Sequence, residues 1–275
     1  MDVMTIINSM VSIGGLGLLF GVGLGYASKK FAVPVDPKIP LIRDVLPGAN
    51  CGGCGYAGCD AFAKAVAEGN ASPDACPVGG ATVAQQVAEI LGLTVQEKEP
   101  TVAFVKCNGT CEKSQNQYNY YGIPDCKEAA LLPGGGAKSC SYGCMGLGSC
   151  VKACPFDAIE IRDGIAVVIE EKCTSCGNCV KACPKGLIEI VPLAKKVRVA
   201  CNSNDKGKDV RGFCQVGCIG CRMCVKACQY DAINVTNQLA HVDYEKCTQC
   251  MACVEKCPTK AILGIREEIQ EKKAN

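Results

Sequence analysis

The sequence predicts an α+β chain built from a single transmembrane helix, a small four-cysteine domain and two tandem copies of a cysteine-rich module. Three observations predict it. Residues 3–28 carry no charge, residues 51–76 hold four cysteines among glycines, and a pattern of cysteines beginning at Cys150 returns after 74 positions.

Composition sets the chemistry. Of 275 residues, 25 are cysteine, while only 5% are aromatic and none is tryptophan, a thin inventory for a large apolar core. Cysteines repeated two residues apart cannot all reach disulfide partners with acceptable geometry, so they read as metal ligands in a reducing compartment. The 29 basic and 27 acidic residues are interspersed, with a net charge of +2, and no basic tract points to nucleic acid.

The uncharged stretch from Val3 to Ser28 spans 26 residues, enough to cross a hydrocarbon core about 30 Å thick as a helix. Asp2 precedes it and Lys29 and Lys30 follow it, the reverse of the charge order in a signal peptide. Residues 1–28 therefore read as a single-pass anchor in cell-membrane lipid, and the basic pair places the C-terminal domains in the cytoplasm. Gly17, Gly21 and Gly25 fall four apart and offer a face for another membrane helix. Residues 29–48, with Pro34, Pro37, Pro40 and Pro47, read as a semi-extended connector.

In residues 49–95 the ligand candidates are Cys51, Cys54, Cys59 and Cys76. The glycines around them let the backbone wrap closely about an iron-sulfur cluster. Cys59 opens an alanine-rich helix whose N-terminus favours an anionic thiolate-ligated group; zinc is the competing reading. A second helix over 81–91, with Val83, Val87, Ile90 and Leu91 on one face, covers this domain. Residues 96–138 form a connecting region with a short apolar strand and three further cysteines, Cys107, Cys111 and Cys126.

The segment Cys173–Pro184 reads C-x2-C-x2-C-x3-C-P. This is the ligand run of a bacterial-type two-cluster ferredoxin, in which the fourth cysteine serves the other cluster. Three thiolates in one tight loop favour a 4Fe-4S cubane over zinc. Cys150, Cys154, Cys173, Cys176, Cys179 and Cys183 map without a gap onto Cys224, Cys228, Cys247, Cys250, Cys253 and Cys257. Residues 139–192 and 213–268 are thus two tandem ferredoxin modules, separated by a linker, 193–212, and followed by a tail, 269–275.

Cross-ligation assigns most ligands. Cys218, Cys221 and Cys224 with Cys257 hold one cluster, and Cys247, Cys250 and Cys253 with Cys228 a second. Cys173, Cys176 and Cys179 with Cys154 hold a third. Its partner is irregular because Leu147 stands where Cys221 stands in the second copy, so its expected ligands are Cys140, Cys144, Cys150 and Cys183. Against this, Cys214 matches Cys140 and is spare in the second copy. With the first domain this makes at least five 4Fe-4S clusters. A sixth is expected from four of Cys107, Cys111, Cys126, Cys201 and Cys214, the alternative being buried free thiols.

The anchor, the NCGGCGYAGC domain and the tandem modules, taken together, resemble the B subunit of the Rnf complex, a membrane-bound ferredoxin:NAD oxidoreductase that translocates Na+ or H+. The resemblance implies an electron-transfer subunit of that translocase. It would accept electrons from soluble ferredoxin and pass them to other membrane subunits. The alternative is a membrane-held polyferredoxin feeding another redox enzyme such as a hydrogenase or dehydrogenase. No substrate-converting site is legible: there is no nucleotide-binding glycine fingerprint, and the one histidine, His241, matches Ala166 in the first copy. The expected chemistry is one-electron transfer, with potentials set by hydrogen bonds to sulfur, burial and nearby charge.

Overall fold

The structure, a computed structural model, describes residues 3–31, 36–95 and 98–264. The expected end of the second module, 265–268, and the tail, 269–275, lie outside the described residues.

Helix α1 (Val3–Lys30) is about 42 Å long at 1.5 Å per residue, so it exceeds the apolar thickness of a bilayer. Its large apolar side chains, among them Met10, Leu18 and Leu24, are exposed, and a side chain added at Gly17, Gly21 or Gly25 would meet nothing. It is the one helix among the described residues long and apolar enough to cross a membrane.

The expected connector is partly folded. Residues Lys38–Val45 form α2, and Ile42 is fully buried beside Phe62, Val66 and Val87. Pro40 does not prevent this, because it stands in the first turn, where no intrahelical acceptor awaits its missing N–H. With α3 (Cys59–Ala67) and α4 (Gly80–Leu91), α2 encloses the core of the first domain. Gly92, left-handed at φ 72°, ends α4.

The modules are built alike. In the first, α6 (Ser149–Lys152) leads to the antiparallel hairpin β2 (Ile159–Arg162) and β3 (Ile165–Val168), then to α7 (Asn178–Ala182) and β4 (Ile188–Pro192). Strand β1 (Thr101–Val105), from the connecting region, pairs antiparallel with β4; α5 (Cys126–Ala130) lies between β1 and the module. In the second module β5 (Arg198–Val199) precedes α8 (Gly207–Phe213) and α9 (Met223–Ala227). The hairpin β6 (Ile233–Thr236) and β7 (Leu239–Val242), helix α10 (Ala252–Glu255) and β8 (Ile262–Leu263) follow. Strand β5 pairs with β8 as β1 pairs with β4. His241 is exposed on β7.

Val105 faces Ile188 and Val199 faces Ile262, so the duplication extends upstream of the 74-residue repeat into β1 and β5. Two positions beyond these valines stand Cys107 and Cys201. A small apolar seam of Val102, Phe104, Val191 and Ala200 joins the modules. At its edge Arg198, 5% exposed, pairs with Glu170 at 2.7 Å and lies over the Phe104 ring. Burial alone would raise the Glu170 carboxyl; hydrogen bonds from Lys196 and Arg198 outweigh it and hold the carboxyl below its usual range.

Candidate metal centres

Four ligand loops share one backbone path. In Cys173–Cys179 the residues flanking the middle cysteine, Ser175 and Gly177, are left-handed; so are Gln249 and Met251 around Cys250, and Gly220 and Arg222 around Cys221. Gly146 and Gly148 take the same conformation around Leu147. The fourth loop therefore keeps the ligand geometry although its middle ligand is absent. Holding Ser175, Arg222, Gln249 and Met251 left-handed costs about 1–2 kcal/mol each, strain typical of a site that the surroundings impose.

The thiols gather into six quartets. Burial pushes Cys179 up to about 11, followed by repulsion from Cys173 and Cys176, with Cys154 also near. Cys224 is raised to about 11 by burial and then by Cys218, Cys221 and Cys257, and Cys253 to about 11 by burial and then chiefly by Cys247, with Cys228 and Cys250 beside it. The structure brings together the residues of these three expected sets. In the first domain Cys51, Cys54, Cys59 and Cys76 line one cavity.

The remaining two quartets differ from expectation. The fourth thiol beside Cys144, Cys150 and Cys183 is Cys126, not Cys140. Burial, then Cys144, Cys126 and Cys183, push Cys150 up to about 12, and all four line one cavity. Cys126 is the first residue of α5, and its amide donates to Ser149 Oγ at 2.6 Å. Thus α5 brings a thiol to the site that Leu147 leaves incomplete. Cys140 instead lines a cavity with Cys107, Cys201 and Cys214; burial raises it first, then Cys107 and Cys214. Of the five cysteines outside the regular runs, Cys111 stands apart: it is exposed, with its sulfur against Gly164.

This last quartet is built from two equivalent pairs. Cys107 and Cys201 follow β1 and β5, and Cys140 and Cys214 each lie four residues before Cys144 and Cys218. The amide of Cys144 donates to Cys107 Sγ at 3.4 Å, and the amide of Cys218 to Cys201 Sγ at 3.2 Å. Sequence comparison hides the equivalence because each pair is separated by 33 positions in the first copy and 13 in the second. The shared Val-x-Cys at 105–107 and 199–201 was the available signal.

The sites fit 4Fe-4S groups. Among the described residues no three His, Cys, Asp or Glu side chains converge as ligands of a single ion; zinc, bonded to sulfur at about 2.3 Å, draws its thiolates together. Here they ring cavities instead. Backbone amides point at the sulfurs: Ala158 at Cys154, Leu187 at Cys183 and Ala261 at Cys257, at 3.3–3.4 Å. Gln249 Nε2 donates to Cys247 Sγ at 3.1 Å. Such donors favour thiolate over thiol.

The quartets are also contiguous. Asn178 Nδ2 donates to the Cys51 carbonyl at 3.0 Å, and a side chain on Gly53 would lie 2.8 Å from the Cys176 carbonyl oxygen, so the first domain rests on the Cys173–Cys179 loop. The other end is more open: Cys221 and Cys250 in the second module are exposed.

Comparison with known proteins accords with this arrangement. An Fe-S cluster family matches residues 46–78, a 4Fe-4S dicluster family 139–187 and a 4Fe-4S binding family 240–263. A second dicluster family matches 172–233, straddling the two modules. The chain is 53% identical to the B subunit of the Na(+)-translocating ferredoxin:NAD(+) oxidoreductase complex of Acetobacterium woodii, over 92% of this chain and 76% of that protein. It is 50% identical to the B subunit of the ion-translocating oxidoreductase complex of Methanosarcina acetivorans, over 94% of this chain and 97% of the relative. The chain belongs to the family of Rnf B subunits. As an Rnf B subunit it is an iron-sulfur electron-transfer component of an ion-translocating oxidoreductase complex, with the other subunits as partners. Its N-terminal helix accords with membrane association. A third relative, from Clostridium ljungdahlii, is 46% identical over 95% of this chain and 93% of its own length, and is named for proton translocation.

Proposed function

We propose that this subunit accepts electrons from reduced soluble ferredoxin and relays them toward membrane partners of a ferredoxin:NAD oxidoreductase that translocates Na+ or H+. The observation carrying this reading is the contiguity of the quartets from the first domain to the second module. Six 4Fe-4S clusters are assigned, one to each quartet, with Cys126 replacing Cys140 in the first module and Cys107, Cys140, Cys201 and Cys214 holding the bridging cluster. When bound, such clusters supply one-electron chemistry. In this reading the relay runs through the first domain, the Cys173 loop, the Cys126 quartet, the bridging quartet and the second module. Residues 1–28 serve as the single-pass anchor, with the domains on the cytoplasmic side. Residues 3–28 hold no Asp, Glu, Lys, Arg or His to carry an ion, which assigns the ion path to other subunits.

The test is isolation from detergent-solubilised membranes. Recovery with polytopic subunits, in a preparation that reduces NAD with ferredoxin, is the expected result. Recovery of the chain alone, or with a soluble hydrogenase or dehydrogenase, overturns the reading in favour of a membrane-held polyferredoxin.

A further inference from the structure

Two lysines stand at the irregular quartets, Lys138 at the bridging cavity and Lys185 at its neighbour, and the second copy has neither. Lys138 is 6% exposed, lines the cavity of Cys107, Cys140, Cys201 and Cys214, and donates from Nζ to the Gly109 carbonyl at 2.5 Å. Lys185 follows Cys183 and Pro184 and lines the neighbouring cavity of Cys126, Cys144, Cys150 and Cys183. Burial, joined by the like charge of Lys138, holds its ammonium below the usual range, against the pull of Cys140 and Cys144, one thiol from each cavity. Its Nζ is buried and has no hydrogen-bond partner among the described residues. The repeat places Gly212 and Thr259 at the matching positions of the second module.

A buried ammonium without a counter-charge costs several kcal/mol, and among the described residues neither lysine is paired with a carboxylate. What Lys185 shares a cavity with instead is the thiols of Cys126, Cys144, Cys150 and Cys183. Four thiolates around a 4Fe-4S core make an anion, and its reduced form carries one more negative charge. A fixed positive charge at the junction therefore stabilises the reduced form and raises the potential.

We propose that Lys185, supported by Lys138, is a potential-setting residue that makes the bridging cluster and its Cys126–Cys144–Cys150–Cys183 neighbour easier to reduce than the clusters of the second module. The inference rests on the six-cluster reading. In it the two copies, each built on four-cysteine sites, differ in buried charge, and the difference draws electrons from the exposed second module toward the first.

The test is a redox titration of the anaerobically purified full-length chain, followed by electron paramagnetic resonance with iron counted in parallel. Lys185→Thr, the residue of the second copy, should keep about twenty-four irons. It should lower the reduction equilibrium of the affected clusters at least tenfold, about 59 mV for one electron. Lys185→Arg, which keeps the charge, should remain within threefold of the unsubstituted protein. Unchanged titrations of Lys185→Thr at full iron content overturn the inference and leave the six clusters standing. Loss of iron in both variants assigns Lys185 to assembly and overturns it too. About twenty irons in the unsubstituted chain removes the bridging cluster, and the underlying reading falls with the inference.

Discussion

The amide of Cys218, first ligand candidate of the second module, donates to the sulfur of Cys201 at 3.2 Å. Cys201 belongs to the bridging quartet, so one hydrogen bond spans two neighbouring cavities. Cys201→Ser is therefore expected to remove about four of about twenty-four irons and to interrupt the relay between the modules. In rapid-mixing experiments with reduced ferredoxin, the variant should bleach in two separated phases instead of one progression. A variant with full iron content would remove Cys201 from the ligand set.

Paired substitutions discriminate the two irregular quartets. Cys126 and Cys183 line one cavity, whereas Cys140 lines another. Cys126→Ser with Cys183→Ser should cost no more iron than either alone, about four atoms. Cys140→Ser with Cys183→Ser should cost about eight. The reverse pattern would restore Cys140 to the first module. Cys111→Ser should leave the iron content unchanged.

Gly53 sits where the first domain meets the Cys173 loop. A methyl there would lie 2.8 Å from the Cys176 carbonyl oxygen and 3.0 Å from Pro77 Cγ. Gly53→Ala is expected to weaken this docking by about 1–3 kcal/mol, the usual cost of overpacking. Hydrogen exchange should then rise across residues 46–78 and remain as before in the second module. Unaltered exchange would show that the two parts accommodate the methyl.

Cluster loading should depend on pH with a definite sign. Burial raises the Cys150 and Cys201 thiols to about 12, so both are protonated at neutral pH, whereas iron binds the thiolate. Loading therefore releases protons, and reconstitution with iron and sulfide should proceed further at pH 8.5 than at pH 7, as measured by iron incorporation. The cluster-free fold responds oppositely. Its neutral buried thiols contribute stability fully below the unfolded value of about 8.5, and that stability is lost as pH rises toward 12. Denaturant midpoints of the cluster-free chain should fall over that range.

Removal of residues 1–28 should release a soluble protein that still accepts electrons from ferredoxin. Continued sedimentation with membranes after an alkaline carbonate wash would assign attachment to the folded domains.

Local features sufficed wherever a ligand run is continuous. The uncharged stretch from Val3 to Ser28 is legible as a continuous apolar helix, and the loops Cys51–Cys59, Cys173–Cys179, Cys218–Cys224 and Cys247–Cys253 because short spacing alone brings their thiols together. Helix α2 is less legible: the four prolines of residues 29–48 point to extension, and burial of Ile42 prevails. The irregular quartets required the folded chain. Cys126 reaches its site because α5 packs beside Ser149, and Cys107, Cys140, Cys201 and Cys214 meet because β1 and β5 pair with β4 and β8 in matching register. Those contacts join residues up to 107 positions apart. No local spacing encodes such a meeting, since it depends on how two duplicated modules bury their shared seam.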